Sequence, residues 1–170
     1  MLSPKTRGFT QSNTGFTLIE LLVVIAIIGL LSGVVLASLN TARTKGADAS
    51  IRSNLKTVQT QAELYYDNTQ KYNADGSTGL ASAACTNTAS TLLADATIWK
   101  AIQAARDTNG GTLAAVTRCA VASTGNSYAV AVQMRAVTGW FCVDSNGAST
   151  NTGSATAPAL GGGASAAACP

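Results

Sequence analysis

The 170-residue chain contains no histidine. That absence removes the commonest general base and the commonest metal ligand at once, and it lowers the case for an enzyme. Charge is scarce: 11% of residues are charged, against the usual quarter, and Ala, Thr, Ser and Gly fill the space. The formal charge of +3 includes Lys5 and Arg7. Without residues 1–15 the balance is nine basic against eight acidic residues, which argues against nucleic acid as a partner. No proline stands between residues 5 and 157. The four cysteines, Cys85, Cys119, Cys142 and Cys169, form no C-x-x-C pair, so neither a metal knuckle nor a redox motif is available, and no metal or cofactor is expected.

What the chain does have is one long apolar run. From Phe16 to Leu39 the only strongly polar side chain is Glu20. Twenty-four residues as a helix would measure about 36 Å, enough for a hydrocarbon core of about 30 Å. The segment before it, residues 1–15, is polar, carries Lys5 and Arg7 and has no acid, as a cytoplasmic flank should. A secretory signal peptide also has a basic start, and Val35-Leu36-Ala37 is a passable cleavage sequence. Its apolar core is usually shorter, however, and has no use for a carboxylate. A plain signal anchor explains the length but not Glu20, because an ionisable group inside a span needs a partner.

Gly15-Phe16-Thr17-Leu18-Ile19-Glu20 resembles the processing motif of type IV pilins and the related type II secretion pseudopilins, with the apolar run in register. The resemblance implies cleavage between Gly15 and Phe16 by a prepilin peptidase and N-methylation of Phe16. Glu20, then the fifth residue, would meet the Phe16 ammonium of a neighbouring subunit in a staggered helical filament. Thr14 stands where leaders of the family often carry Lys or Arg. Arg7-Gly8-Phe9-Thr10 mimics the site, but a cut after Gly8 would put Asn13 at the fifth position, and it is rejected. Gly29 and Gly33 make a G-x-x-x-G, a spacing that lets helix backbones approach closely in membranes.

Beyond the run, Ile51, Leu55, Val58, Ala62 and Tyr65 recur at helical spacing, which extends the helix over residues 40–66 as an amphipathic stem. Lys45, Arg52 and Lys56 fall off that stripe, on a solvated face. Tyr66–Ser90 reads as a loop. A second helix over Thr91–Asp107 would put Leu92, Ala96, Trp99 and Ile102 on one face, capped by Ser90 or Thr91 and ended by Asn109-Gly110-Gly111. Ser127–Met134 alternates as a strand and Trp140–Val143 is its antiparallel partner across a turn at Thr138-Gly139. Asp144-Ser145-Asn146-Gly147 offers a single carboxylate, too little for calcium, and is read as an Asx turn. The tail from Ala148 is low in complexity and could not fold by itself.

The expected fold is therefore α+β: a long N-terminal helix, membrane-spanning in its first half, packed on a small disulfide-stapled head (67–170) with a second helix and a short antiparallel sheet. An even cysteine count behind an export-type N-terminus favours two disulfides and an oxidising compartment. Spacing leaves three pairings open. Cys85–Cys119 with Cys142–Cys169 is preferred because it staples the loop–helix region and the tail separately, and the second pair resembles the cysteine-bounded C-terminal region of many pilins.

The expected function is a structural subunit with no catalytic residues. It would be held as a single-pass protein of the cytoplasmic (inner) membrane with its head outside, then polymerised into a cell-surface pilus or pseudopilus. Its partners would be copies of itself or related pilins, the prepilin peptidase, an assembly platform and the membrane before assembly. Adhesion, motility, secretion and DNA uptake are all open uses. A membrane-anchored extracellular binding module that does not polymerise is the alternative, and an anchored hydrolase finds no nucleophile paired with a base.

Overall fold

The computed structural model describes residues 15–73, 79–162 and 166–170. Most of the leader expected over 1–15 lies outside the described residues. The chain divides into two units at Asn40/Thr41. The first helix, α1, runs over Leu18–Thr69 and crosses that division.

In the first unit, every large apolar side chain from Phe16 to Leu39 is at least half exposed. In water such a surface is costly, on the order of 1.5–3 kcal/mol per large side chain left uncovered. Among the described residues α1 is the one helix long and apolar enough to cross a membrane, with a mean hydropathy of 2.8 over its most apolar 18-residue window.

The second unit holds an orderly core. Asp48, Ile51, Leu55, Val58 and Ala62 are the buried positions of α1, and Tyr65 is half-buried, so one stripe of the helix faces inward. The helix passes Tyr66 and ends at Thr69. There Gln70 adopts a left-handed φ of 59° and donates its amide to Tyr66 O at 2.6 Å. The loop expected from Tyr66 to Ser90 is thus shorter at its front and contains a strand, β1, Leu80–Ala83.

A 3-10 turn, Leu92–Ala94, is capped by Thr91, whose hydroxyl accepts from Leu93 N. Helix α2 follows over Ala96–Asn109, capped by Asp95, which accepts from the amides of Thr97 and Ile98 at 2.8 and 3.0 Å. Gly110, at φ 83°, ends it, a conformation a residue with a Cβ adopts at a cost. The buried face is Ile98, Ala101, Ile102 and Ala105, whereas Ala96 is exposed and Trp99 half-buried. This corrects the face read from the sequence. Leu92 belongs to the separate 3-10 turn, so counting 3.6-residue periods from it carries the wrong phase into α2.

A single turn of helix, α3 (Leu113–Val116), leads into the sheet. Strands β2 (Thr117–Val121), β3 (Tyr128–Gln133), β4 (Trp140–Asp144) and β5 (Ser149–Asn151) join β1 in an antiparallel sheet of order β1-β2-β3-β4-β5. The expected hairpin is its centre, with Val130 opposite Val143 and Val132 opposite Phe141. Its two faces have different covers. Val121, Tyr128, Val130, Val132, Phe141 and Val143 pack in one core with α1 and α2. Ala120, Ala129, Ala131, Trp140 and Cys142 pack on the other side with Leu160 and Ala167 from the tail.

The tail is therefore a cover for the sheet. Ser82 N donates to Gly161 O at 3.0 Å, Ala167 N to Ser127 Oγ at 2.8 Å and Ala168 N to Leu160 O at 2.9 Å. Gly162 sits at φ 95°, and a Cβ there would collide with Leu80 O and Ala120. Two disulfides hold the head: Cys85–Cys119, with Cα atoms 4.9 Å apart, and Cys142–Cys169, at 5.8 Å.

Candidate processing and assembly site

The start of α1 carries the candidate site. Gly15 and Phe16 are both exposed, Phe16 at 91%. The next residue, Thr17, is the N-cap of the helix: Leu21 N donates to its carbonyl at 3.4 Å. Its hydroxyl accepts from Glu20 N at 3.4 Å, and the Glu20 carboxylate reaches back to accept from Thr17 N at 2.8 Å and Thr17 Oγ1 at 2.7 Å. This is a reciprocal capping box, in which two of the four unpaired amides at the helix start are satisfied.

The box gives Glu20 an intramolecular partner that sequence reasoning missed. The signal was present, since Thr17-x-x-Glu20 ahead of an apolar run is the pattern of a capping box. A carboxylate in the first turn also lies at the positive end of the helix dipole, where it is favoured. Both Thr17 donors use Oε2. Oε1 accepts no hydrogen bond among the described residues.

Gly29 and Gly33 lie farther along the exposed part of α1. A Cβ added at either would meet no atom within 4 Å. Packing within the chain therefore does not require glycine at these positions, although glycine inside a helix costs roughly 0.5–1 kcal/mol relative to alanine.

The head places the remaining singled-out residues far along the chain from this site, and two of its carboxylates have structural work. Asp144 is buried and accepts from Asn146 N at 2.9 Å and Ala148 N at 3.0 Å through Oδ1, closing the β4–β5 turn. Its Oδ2 accepts from Cys169 N at 2.9 Å, so the same side chain pins the C-terminus. Asp48, buried on α1, accepts from Arg135 N at 2.6 Å and Ala136 N at 3.1 Å in the β3–β4 loop. Its position three residues before Ile51 continues the apolar stripe, and an acid on such a stripe is the clue to a buried role. Trp99 packs against the core and Trp140 is buried beneath the tail.

Burial raises the pKa of three tyrosines. Tyr128 and Tyr72 are pushed well above the ordinary phenol range, first by desolvation and then by the nearby Glu63 carboxylate. Tyr65 is raised by its own desolvation and by Asp95. The Tyr72 hydroxyl donates to Glu63 at 3.2 Å, and its ring meets Tyr128 edge-on at 4.7 Å between centroids. These protonated phenols form part of the aromatic core.

An exposed apolar helix that opens on a capped, glycine-led motif defines a class: chains carrying the prokaryotic N-terminal methylation motif. The model of that motif matches residues 11–36. The chain is also 31% identical over 64 residues to the type IV major pilin protein PilA of Myxococcus xanthus strain DK1622, an alignment covering 38% of this chain and 29% of the relative. The matched part thus spans under a third of that relative's length. No solved structure matches the chain. Both matches fall on type IV pilin-type sequence features: the motif model on the N-terminal 11–36 segment, and the relative on a stretch of 64 residues.

Proposed function

We propose that the chain is a prepilin, cut between Gly15 and Phe16, N-methylated on Phe16, and polymerised into a pilus or pseudopilus. The observation that carries this reading is the coincidence of three features at one helix start. The methylation-motif match covers residues 11–36, Glu20 sits in the first turn, and an uncovered apolar surface follows it to Leu39.

Cleavage would create an ammonium at Phe16, four residues before Glu20. Both charges are expensive in lipid. The capping box holds the Glu20 carboxylate at the helix start through Oε2, which leaves Oε1 to accept from the Phe16 ammonium of a neighbouring subunit. At low dielectric that pairing discriminates strongly between correct and incorrect axial registers, whatever its net stabilisation. Gly29 and Gly33 would serve close approach between stems in the same filament. Before assembly the Phe16–Leu39 stem would be covered by lipid, with the head outside the cytoplasmic membrane. A prepilin peptidase and an assembly platform would then act in turn.

Mass spectrometry of the mature protein tests the reading. The expected species is an N-methylated Phe16 chain of 155 residues (170 minus 15). An intact Met1, or cleavage after Ala37, would sink it. Glu20→Ala should insert into membranes normally yet fail to enter filaments, and normal filaments from that variant would refute the register role.

A further inference from the structure

The charges of the second unit, the head together with its part of α1 (Thr41–Pro170), are unevenly placed. Arg43, Lys45 and Arg52 on α1 and Arg135 in the β3–β4 loop are all exposed. Lys45 and Arg52 lie three residues before and four after Asp48, so they neighbour it one turn away on either side, at the exposed edge of the buried stripe. Arg135 is joined to the same place by its backbone, whose amide donates to Asp48 at 2.6 Å. Its guanidinium reaches Thr108 O at 3.4 Å, which brings in the end of α2. Arg106 there is paired with Asp107.

Asp48 does not neutralise this group. It is 5% exposed, and its carboxylate is occupied by the amides of Arg135 and Ala136. Among the described residues none of the four cations forms an ion pair. Counting Arg106 and Asp107, this end of the head has five cations against two carboxylates, a net +3. The rest of the sequence from Thr41 onward has four cations against five carboxylates, a net −1. The cationic loop also carries Val137, 43% exposed; beyond Leu39 it and Leu64 are the two exposed large apolar side chains among the described residues.

We infer that this cationic end of the head, Arg43, Lys45, Arg52 and Arg135 with Val137 at its tip, docks on the headgroups of anionic phospholipids while the subunit is stored in the membrane. The inference rests on the anchored-subunit reading above. Lipid is favoured over nucleic acid by tethering. Arg43 and Lys45 follow Leu39 by four and six residues, so even a fully extended chain keeps them within about 14 and 22 Å of the end of the span. The tether leaves them free to come within a Debye length, about 8–10 Å, of anionic headgroups, where a basic residue is attracted, and an aliphatic tip can enter the interface beside them. Docking would hold the stored subunit in one orientation. Extraction into a filament would then have to break the contact.

The test uses the full chain in nanodiscs, either of phosphatidylcholine alone or with a third of phosphatidylglycerol, followed by hydrogen exchange. Exchange over residues 134–139 should be about fivefold or more slower in the anionic discs, as expected for at least one lipid-paired cation. The protection should vanish in half-molar salt and in the triple variant Arg43→Gln/Lys45→Gln/Arg135→Gln. Salt and lipid composition probe the contact without any substitution, so a misfolded variant cannot decide the result. Insertion with equal exchange in both discs would overturn the docking alone. Failure to enter either disc would overturn the anchored reading and this inference with it. Equal protection by duplex DNA in phosphatidylcholine discs would reassign the surface to nucleic acid and overturn lipid docking.

Discussion

Glu20, Asp48 and Asp144 are three of only eight acidic residues in the chain, and each accepts backbone amides that would otherwise lack partners. Asp144 carries the most, because one carboxylate closes the β4–β5 turn and holds Cys169. Replacing it by Asn should turn one acceptor oxygen into a donor facing an N–H group. Loss of about 1–3 kcal/mol is expected for a buried group left unsatisfied. Thermal unfolding of Asp144→Asn under oxidising conditions checks this, and an unchanged midpoint would show that the turn closes without the carboxylate. The Asx turn was legible from Asp144-Ser145-Asn146-Gly147. The bond to Cys169 N was not, because it spans 25 residues and depends on where the tail returns.

At the scale of elements, the central hairpin and both helices show in their periodicity, while β1, β2 and β5 do not. β3 and β4 are buried on both faces as β2 is, but Tyr128–Gln133 alternates large side chains with alanines, whereas Thr117–Val121 has no such alternation. β1 and β5 are short and rich in Ala, Ser and Thr, and pairing with a neighbour, not side-chain pattern, makes them strands. The tail is the clearest instance: a Gly-, Ser- and Ala-rich segment becomes ordered because the sheet offers a face of Ala120, Ala129, Ala131 and Trp140 for Leu160 to cover. Its anchor is Cys142–Cys169, closing a separation of 27 residues. Cys142→Ser/Cys169→Ser should lose about 3–4 kcal/mol by the chain-entropy estimate. Releasing the tail should also expose Trp140 and shift tryptophan emission to the red. Emission unchanged from the disulfide-bonded protein would mean that Leu160 holds the cover by itself.

For the whole molecule, alkaline stability reports on the aromatic core. Tyr72 and Tyr128 have folded-state pKa values above the unfolded value near 10. Below that pH both states keep their protons and the contribution is fully present. Above it the unfolded chain releases protons that the folded chain retains, so stability falls as pH rises toward the folded values. The thermal midpoint should therefore decline above about pH 10, and less steeply in Glu63→Gln, which removes the second cause of both shifts. A flat profile from pH 9 to 11 would place these phenols in contact with water.

By itself the sequence determined one long apolar helix that opens on an N-terminal methylation motif. The uncovered apolar run Phe16–Leu39 and the capping pattern Thr17-x-x-Glu20 are each set by residues close together in the chain. Local interactions can be read locally. The tertiary structure alone decided that β1, β2 and β5 join the sheet, how the tail covers it, and that Asp48 holds the Arg135 loop against α1. Those outcomes depend on contacts between residues tens of positions apart, where a short polar segment is ordered only by the surface it meets.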